Sequence, residues 1–159
     1  AWNAEQKNGM SGSNVAMRPG YAQVGYAEYA TDGIKATSYK GSLQTPALGV
    51  TGDITLTFKA MAFQSSRSRR TNMHNEVPEK GPDAQRIDIE IVGGGKVVEF
   101  DGRSIDPVSE QTILGLPYSE FKTYNLKIEG ATEQTSVIFK SAGDIKLARW
   151  FIDDIIVTQ

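Results

Sequence analysis

Short runs of alternating apolar and polar residues recur along this chain, and they constrain its fold more than any other feature. Residues 54–60, 87–91 and 124–129 alternate without interruption. Because successive side chains of a β-strand point to opposite faces, each run predicts a strand with one buried face. Seven further strands are predicted at residues 22–29, 33–38, 41–45, 96–100, 111–114, 135–140 and 150–158.

Turn residues separate the predicted strands at short intervals. Gly93, Gly94 and Gly95 lie between two of them, and this spacing predicts a hairpin. Hairpins join antiparallel strands, and the single helical pattern, at residues 117–122, is too short for a crossover helix. The 159 residues suffice for one domain with a sizeable core. We therefore predict one all-β domain over residues 1–159, a two-sheet antiparallel β-sandwich.

Composition and charge exclude several classes of function. The chain has no cysteine, which rules out disulfides and thiolate metal sites. A net charge of −2 gives no global attraction to nucleic acid, and no apolar run is long enough for membrane insertion. The first residues, AWNAEQKNGM, lack an initiator Met and the apolar stretch of a signal peptide. We expect a mature chain from which a targeting segment has been removed.

Two adjacent carboxylates interrupt the apolar end of the chain. Strict alternation places Phe151, Ile155 and Val157 on one strand face. Asp153 falls on that face and Asp154 on the opposite one, and both faces look mostly buried. Because a buried carboxylate needs a hydrogen bond, a cation or a metal, at least one of the two is expected to have a dedicated partner.

A long polar segment, residues 64–85, breaks the rhythm of the strands. Loops of this length without secondary structure are usually functional or disordered. The first half carries Arg67, Arg69, Arg70 and the only histidine, His74, and no carboxylate. A catalytic Ser-His-Asp triad or a zinc site would rest on His74 alone, so we predict neither.

The order of several short motifs resembles one family across almost the whole chain. The family is the jelly-roll, galactose-binding-like or lectin-like modules of surface and secreted polysaccharide-utilisation and adhesin proteins of the Bacteroidetes type. The resemblance implies a secreted or cell-surface β-sandwich of jelly-roll type, joined to other modules of the same polypeptide. The motifs are RPGYAQVG (18–25), GSLQTPAL (41–48), DITLTFKAMAF (53–63), IEIVGGGKV (89–97), FKTYNLKIEGATEQTSVIF (121–139) and RWFIDDIIVT (149–158).

The resemblance also carries expectations for particular residues. It implies that Asp153 is a structural carboxylate that binds neighbouring backbone or, in some relatives, a calcium ion. We predict no cofactor, with a structural calcium ion at Asp153 as the alternative. Family members typically have a shorter connection where this chain inserts residues 26–40.

One strand invites comparison with enzymes. Residues 86–90 are similar to the Glu-x-Asp-x-Glu strand motif of laminarinase-like jelly-roll glycosidases, but Arg86 stands at the nucleophile position. The favoured interpretation is a solvated, charge-paired face of Arg86, Asp88 and Glu90 above core isoleucines. A glycoside hydrolase using Asp88 and Glu90 is the less favoured alternative.

A binding site is the more plausible use of the polar segments. Sugar recognition needs aromatic faces and fixed polar groups, and arginine forks suit sulfated or uronic-acid glycans. We predict a non-catalytic carbohydrate-binding or adhesive module whose partner is a glycan or cell-surface polysaccharide. The alternative is a structural spacer or protein-interaction domain. The predicted carbohydrate-binding residues, expected at one end of the sandwich, are Tyr26, Tyr29, Tyr39, Arg67, Arg69, Arg70 and His74.

Overall fold

A computed structural model describes residues 9–29, 36–64, 83–106, 112–141 and 147–159, the side chains of residues 29 and 36–38 excepted. This part of the chain forms fourteen strands and no helix, so it holds no helix that could span a membrane. The strands are β1 (Ser11–Ser13), β2 (Val15–Arg18), β3 (Tyr21–Val24), β4 (Tyr26–Tyr29), β5 (Ala36–Tyr39), β6 (Ser42–Gln44), β7 (Gly52–Ala62), β8 (Arg86–Val92), β9 (Lys96–Phe100), β10 (Arg103–Ser104), β11 (Thr112–Leu114), β12 (Lys122–Ala131), β13 (Ser136–Ser141) and β14 (Trp150–Thr158).

The strands form two antiparallel sheets that face each other. The five-stranded sheet has the order β1-β6-β13-β8-β11, and the seven-stranded sheet has the order β10-β9-β12-β7-β14-β3-β2. The chain alternates between the sheets from β6 to β9 and again from β11 to β14. Strands β4 and β5 pair only with each other. The predicted two-sheet antiparallel β-sandwich of jelly-roll type is confirmed.

The core lies between the sheets and follows the alternation seen in the sequence. In β7 the side chains of Ile54, Leu56 and Phe58 are buried, while the residues between them are part-exposed. Phe139 from the opposite sheet lies with its ring 4.9 Å from the Phe58 ring and 6.4 Å from the Trp150 ring. Each such buried side chain contributes about 1.5–3 kcal/mol through removal of apolar surface from water.

The three consecutive glycines do not form the predicted hairpin. They connect β8 in the five-stranded sheet to β9 in the seven-stranded sheet, so the two flanking strands are not paired. All three glycines have positive φ, and a Cβ at Gly93 would lie 2.0 Å from the carbonyl oxygen of Gln134. The Thr132 and Thr135 hydroxyls donate to the carbonyls of Gly93 and Gly94, at 2.6 and 2.7 Å. Glycine is required here by close contact between two inter-sheet connections.

Other differences from prediction concern strand limits. The predicted strand over 22–29 is split at Gly25, whose φ of 82° ends β3 and begins the separate β4. Of the strand predicted over 33–38, residues 33–35 lie outside the described residues. Strands β1, β2 and β10 were not predicted, because they are short and leave most of their side chains exposed. The helical pattern over 117–122 contains bends and the start of β12 instead of a helix.

Tyr124 gives a test of the core. Its side chain is 4% exposed, and its hydroxyl has no hydrogen-bond partner among the described residues. Leaving a buried hydroxyl unpaired costs about 1–3 kcal/mol. We therefore expect Tyr124→Phe to raise the free energy of unfolding at pH 7 by ~1 kcal/mol, measured by urea denaturation. The exposed Tyr118→Phe is the control, and a loss of stability in Tyr124→Phe would contradict the assignment.

The same side chain predicts a pH dependence. Burial, with a smaller effect of Asp101, raises the pKa of Tyr124 from 10.0 to about 12. The folded state loses this proton at a higher pH than the unfolded state does. The contribution of neutral Tyr124 to the free energy of unfolding is therefore complete below pH 10 and is lost as the pH approaches 12. The stability advantage of Tyr124→Phe should therefore widen between these two pH values.

Candidate functional site

A β-bulge in the terminal strand changes the environment of the two adjacent carboxylates. Asp153 of β14 lies opposite Lys59 of β7, and Ile156 of β14 lies opposite Thr57 of β7. Three residue steps along β14 therefore match only two along β7. The extra residue in β14 is accommodated at Asp154, whose φ of 49° is in the left-handed region.

The bulge corrects the prediction that both carboxylates share buried faces. Before the bulge, Asp153 lies on the outer face with Phe151. After the bulge, odd-numbered residues point inward instead of outward, so Ile155 and Val157 pack against the core. Asp154 is exposed rather than buried, and its dedicated partner is Lys59.

Lys59 is the cation that the terminal carboxylates were expected to need. The Nζ atom of Lys59 donates to the Asp154 carboxylate at 2.8 Å, and this bond raises the pKa of Lys59. Asp153 makes no hydrogen bond or ion pair with any described residue, so the backbone tie implied by the resemblance is not found in this part of the chain. The described residues contain no cluster of three metal-binding side chains, and calcium at Asp153 stays a prediction.

The carboxylates of the possible glycosidase motif lie in a charge-paired sheet face. Arg86 Nε and the Thr112 hydroxyl both donate to Asp88 Oδ1, at 2.9 and 3.0 Å. Glu90 pairs with Lys140 from β13. The favoured interpretation of this strand, charged residues paired above buried Ile87 and Ile89, is confirmed.

The inserted segment brings two of the predicted tyrosines together. Tyr26 and Tyr39 lie opposite each other in the β4–β5 ribbon, with ring centroids 4.4 Å apart and planes at 11°. The Tyr39 hydroxyl donates to Glu28 Oε2 at 3.2 Å, and this bond raises the pKa of Tyr39. The Tyr29 side chain lies outside the described residues. The ribbon therefore presents a stacked aromatic pair held in register by its strands.

Hydrogen bonds fix the base of this ribbon to the sandwich. The amide of Gly25 donates to the Asn14 carbonyl at 2.8 Å, and Asn14 Nδ2 donates to the Lys40 carbonyl at 2.7 Å. The amide of Gly41 donates to the Ser141 hydroxyl at 3.1 Å. Both strands of the ribbon are thus held where they leave the sandwich.

A buried ion pair ties one end of the long polar segment, at Asp83, to Arg149 directly before β14. Arg67, Arg69, Arg70 and His74 themselves lie outside the described residues. Where the chain becomes described again, the Asp83 carboxylate accepts three hydrogen bonds from Arg149, the residue directly before β14. These are Arg149 Nε to Oδ2 at 2.6 Å, Arg149 Nη2 to Oδ1 at 3.0 Å and the Arg149 amide to Oδ2 at 3.0 Å.

Burial and a ring contact strengthen this anchor. Asp83 is 4% exposed and Arg149 is 6% exposed, so water screens the pair little. The Arg149 guanidinium lies 3.9 Å from the centroid of the Phe63 ring, a cation–π contact. The amide of Asp83 also donates to the Phe63 carbonyl at 2.7 Å. Both sides of the polar segment are therefore held against the start of β14.

The ribbon and the polar segment leave the sandwich at the same place. Val24, Ala62 and Trp150 lie opposite one another in the neighbouring strands β3, β7 and β14. The ribbon begins two residues after Val24, and the polar segment begins two residues after Ala62. We call this part of the sandwich the loop end.

A group of aromatic side chains at the loop end was missed by the sequence analysis. On the outer face of the seven-stranded sheet, the Tyr21 ring lies 4.9 Å from Phe151 and 6.0 Å from Phe121. Phe63 lies 5.5 Å from Phe151. All four side chains, which we call the aromatic cluster, are part-exposed. In the sequence, Tyr21, Phe63 and Phe151 each adjoin a buried strand residue, whereas Phe121 lies between two exposed residues and carries no such signal.

Comparison with solved structures finds similar chains at low sequence identity. One is described as "CBM4 structure and function", a carbohydrate-binding module, with a TM-score of 0.51 and 13% identity over 97% of this chain and 96% of that chain. Two others are adhesin domains of Lys-gingipain from Porphyromonas gingivalis. The K3 domain has a TM-score of 0.48 and 13% identity over 87% and 72% of the two chains, and the K1 domain has 0.49 and 14% over 99% and 88%.

No protein-family model and no curated protein matches the sequence. The resemblance to jelly-roll surface and adhesin modules is confirmed at the level of the fold, through the structure with a TM-score of 0.51. This chain is therefore a jelly-roll β-sandwich similar in fold to a carbohydrate-binding module.

The buried ion pair predicts a large stability effect. Asp83→Ala removes the carboxylate from a buried guanidinium, which typically costs about 3–5 kcal/mol. Glu90→Ala removes an exposed pair and should cost no more than ~1 kcal/mol. Urea denaturation of the two variants measures the difference. Equal losses would show that Asp83 does not anchor the polar segment.

The bulge predicts an unusual preference at position 154. Glycine adopts positive φ without strain, so Asp154→Gly should leave the free energy of unfolding unchanged or slightly higher despite loss of the Lys59 pair. A β-branched residue is strained there, so Asp154→Val should cost about 1–2 kcal/mol. Thermal or urea denaturation tests this, with Asp153→Val, at an ordinary strand position, as the control. A stable Asp154→Val would argue against the bulge.

Proposed function

We propose that this chain is a non-catalytic glycan-binding or adhesive module of a secreted or surface protein. The observation that carries the proposal is the geometry of the loop end. The ribbon, with its stacked tyrosines, begins there. The arginine-containing segment begins at the same end of the neighbouring strands, and its ends are anchored there.

The physical argument for glycan binding rests on what these elements offer. Tyrosine rings on a fixed ribbon provide a flat apolar face and a polar edge, which suit the C–H and hydroxyl groups of a sugar. Arg67, Arg69 and Arg70 supply planar donors for the carboxylates or sulfates of an acidic glycan. His74 is the remaining proposed contact.

The fold supports the proposal as well. The chain covers nearly the whole of a carbohydrate-binding module of the same fold. The carboxylates of the glycosidase-like strand are occupied by Arg86, Thr112 and Lys140, an arrangement that favours a solvated surface over acid–base chemistry.

Two other functions predict different behaviour. A structural spacer or protein-interaction domain would show no saturable glycan binding. A glycoside hydrolase would release reducing sugar from a polysaccharide and would lose that activity in Asp88→Asn or Glu90→Gln.

A glycan array followed by isothermal titration calorimetry tests the proposal. The array includes neutral, sulfated and uronic-acid polysaccharides, with and without calcium. We expect saturable binding that is weakened about tenfold or more by Tyr39→Ala, because the stacked ring pair is lost. The triple change of Arg67, Arg69 and Arg70 to Ala should abolish binding of acidic glycans in particular.

The control is Arg103→Ala, an exposed arginine in β10 at the far edge of the same sheet. It should bind like the wild type, and thermal denaturation should show that all variants are folded. No binding by the wild type to any glycan would overturn the proposal in favour of the spacer or protein-interaction domain.

A further inference from the structure

The outer face of the seven-stranded sheet carries a second group of residues suited to a sugar. We propose that Tyr21, together with Arg18 and Asp153 on its two neighbouring strands, forms a subsite for a neutral pyranose ring. The inference rests on the proposed function in that its ligand is a glycan. It adds a second location, on the outer face of the seven-stranded sheet instead of the ribbon, and it names a class of sugar.

Strand register places the three residues side by side. Arg18 lies opposite Tyr21 in the β2–β3 pair. Ile152 of β14 lies opposite Ala22, so Asp153 is the neighbour of Tyr21 on the other side. Ala22 and Ile152 are buried in the core, and alternation directs the three polar or aromatic side chains to the outer face.

The aromatic cluster holds the Tyr21 ring in place. The ring packs edge-on against Phe151 at 4.9 Å and lies 6.0 Å from Phe121, yet it keeps part of its surface exposed. A part-exposed ring with fixed orientation provides the apolar contact that sugar C–H groups need. Tyr21 is thus the centre of the subsite.

Arg18 is oriented by a buried amide. Arg18 Nη2 donates to Gln23 Oε1 at 3.2 Å, and Gln23 is only 7% exposed. The Gln23 amide is itself fixed, because its Nε2 donates to the Gly25 carbonyl at 3.1 Å. Arg18 is exposed and forms no ion pair with a carboxylate of the described residues. Its remaining N–H donors are therefore available to sugar hydroxyls.

Asp153 supplies acceptors on the opposite side of Tyr21. Its carboxylate has no hydrogen bond within the described residues, and the nearby Lys59 ammonium is bound to Asp154. A carboxylate accepts hydrogen bonds from adjacent hydroxyls. Lys59, opposite Asp153, is balanced by Asp154, and Arg18 is balanced by Asp153. This face therefore carries no net charge and favours a neutral sugar.

Calorimetry with neutral oligosaccharides tests this subsite. The probes are hexasaccharides of glucose, xylose and mannose, with an oligogalacturonate as the acidic comparison. We expect Arg18→Gln, Asp153→Asn and Tyr21→Ala each to weaken neutral binding about tenfold or more, and Tyr21→Phe to retain it because the ring remains. Arg18→Gln and Asp153→Asn are conservative surface changes, so they keep the test valid if Tyr21→Ala is unstable.

The matched controls are Glu90→Gln, which changes an exposed carboxylate on the five-stranded sheet, and Arg103→Gln. Both should bind neutral hexasaccharides like the wild type. Loss of neutral binding in the Arg18 and Asp153 variants, with oligogalacturonate binding unchanged, supports the subsite.

Three outcomes would overturn the inference. Neutral binding unaffected by Arg18→Gln and Asp153→Asn removes the subsite but leaves the proposed glycan-binding function intact. Neutral binding lost in EDTA and restored by calcium, and lost in Asp153→Asn, assigns Asp153 to a metal instead. No binding of any glycan by the wild type removes the subsite and the proposed function together.

Discussion

The buried ion pair between Arg149 and Asp83 determines how the loop end is built. Two charges removed from water are stabilising only when their geometry is good, and here the contact is bidentate with a further bond from the Arg149 amide. Arg149 directly precedes Trp150, the fully buried residue that lies opposite Val24 and Ala62. The pair therefore connects the core to the point where the ribbon and the polar segment begin.

This arrangement separates the residues that stabilise the sandwich from the elements that we propose to bind a glycan. Strands β7 and β14 bury the apolar residues that hold the sandwich together, while the ribbon and the polar segment begin beyond the last buried pair. Residues outside the core can change without opening cavities, as is usual for binding segments on a rigid scaffold. The hydrogen bonds at Asn14 and Ser141 anchor the ribbon to the sandwich, as Asp83 anchors the polar segment.

The sequence predicted those parts of the fold in which one strand face is buried throughout. Strands β7, β8 and β12 alternate because each has the core on one side and solvent on the other. The connection at Gly93 was mistaken for a hairpin because local turn chemistry does not show which sheet the next strand joins. The sequence placed Tyr26 and Tyr39 in one inserted segment, and the structure shows them in the two paired strands of that segment.

The anchor and the aromatic cluster were not predictable by local pattern. Asp83 and Arg149 are 66 positions apart, and only the register of β14 beside β7 brings them together. Tyr21 and Phe151 come from opposite ends of the chain, so their contact depends on the pairing of β3 with β14. Such contacts follow from topology, which periodicity alone does not specify.

The bulge resolves the apparent conflict of two carboxylates in an apolar strand. One extra residue keeps Ile155 and Val157 in the core and leaves both acids outside it, so neither charge bears the cost of burial. Lys59 binds the carboxylate at position 154, and Asp153 stays on the outer face next to Tyr21. A strictly alternating strand would have placed Asp153 on the same face as Ile155. With Trp150 and Ile152 in the core, the same strand would have buried Asp154, so the bulge is what keeps Asp154 exposed and paired with Lys59.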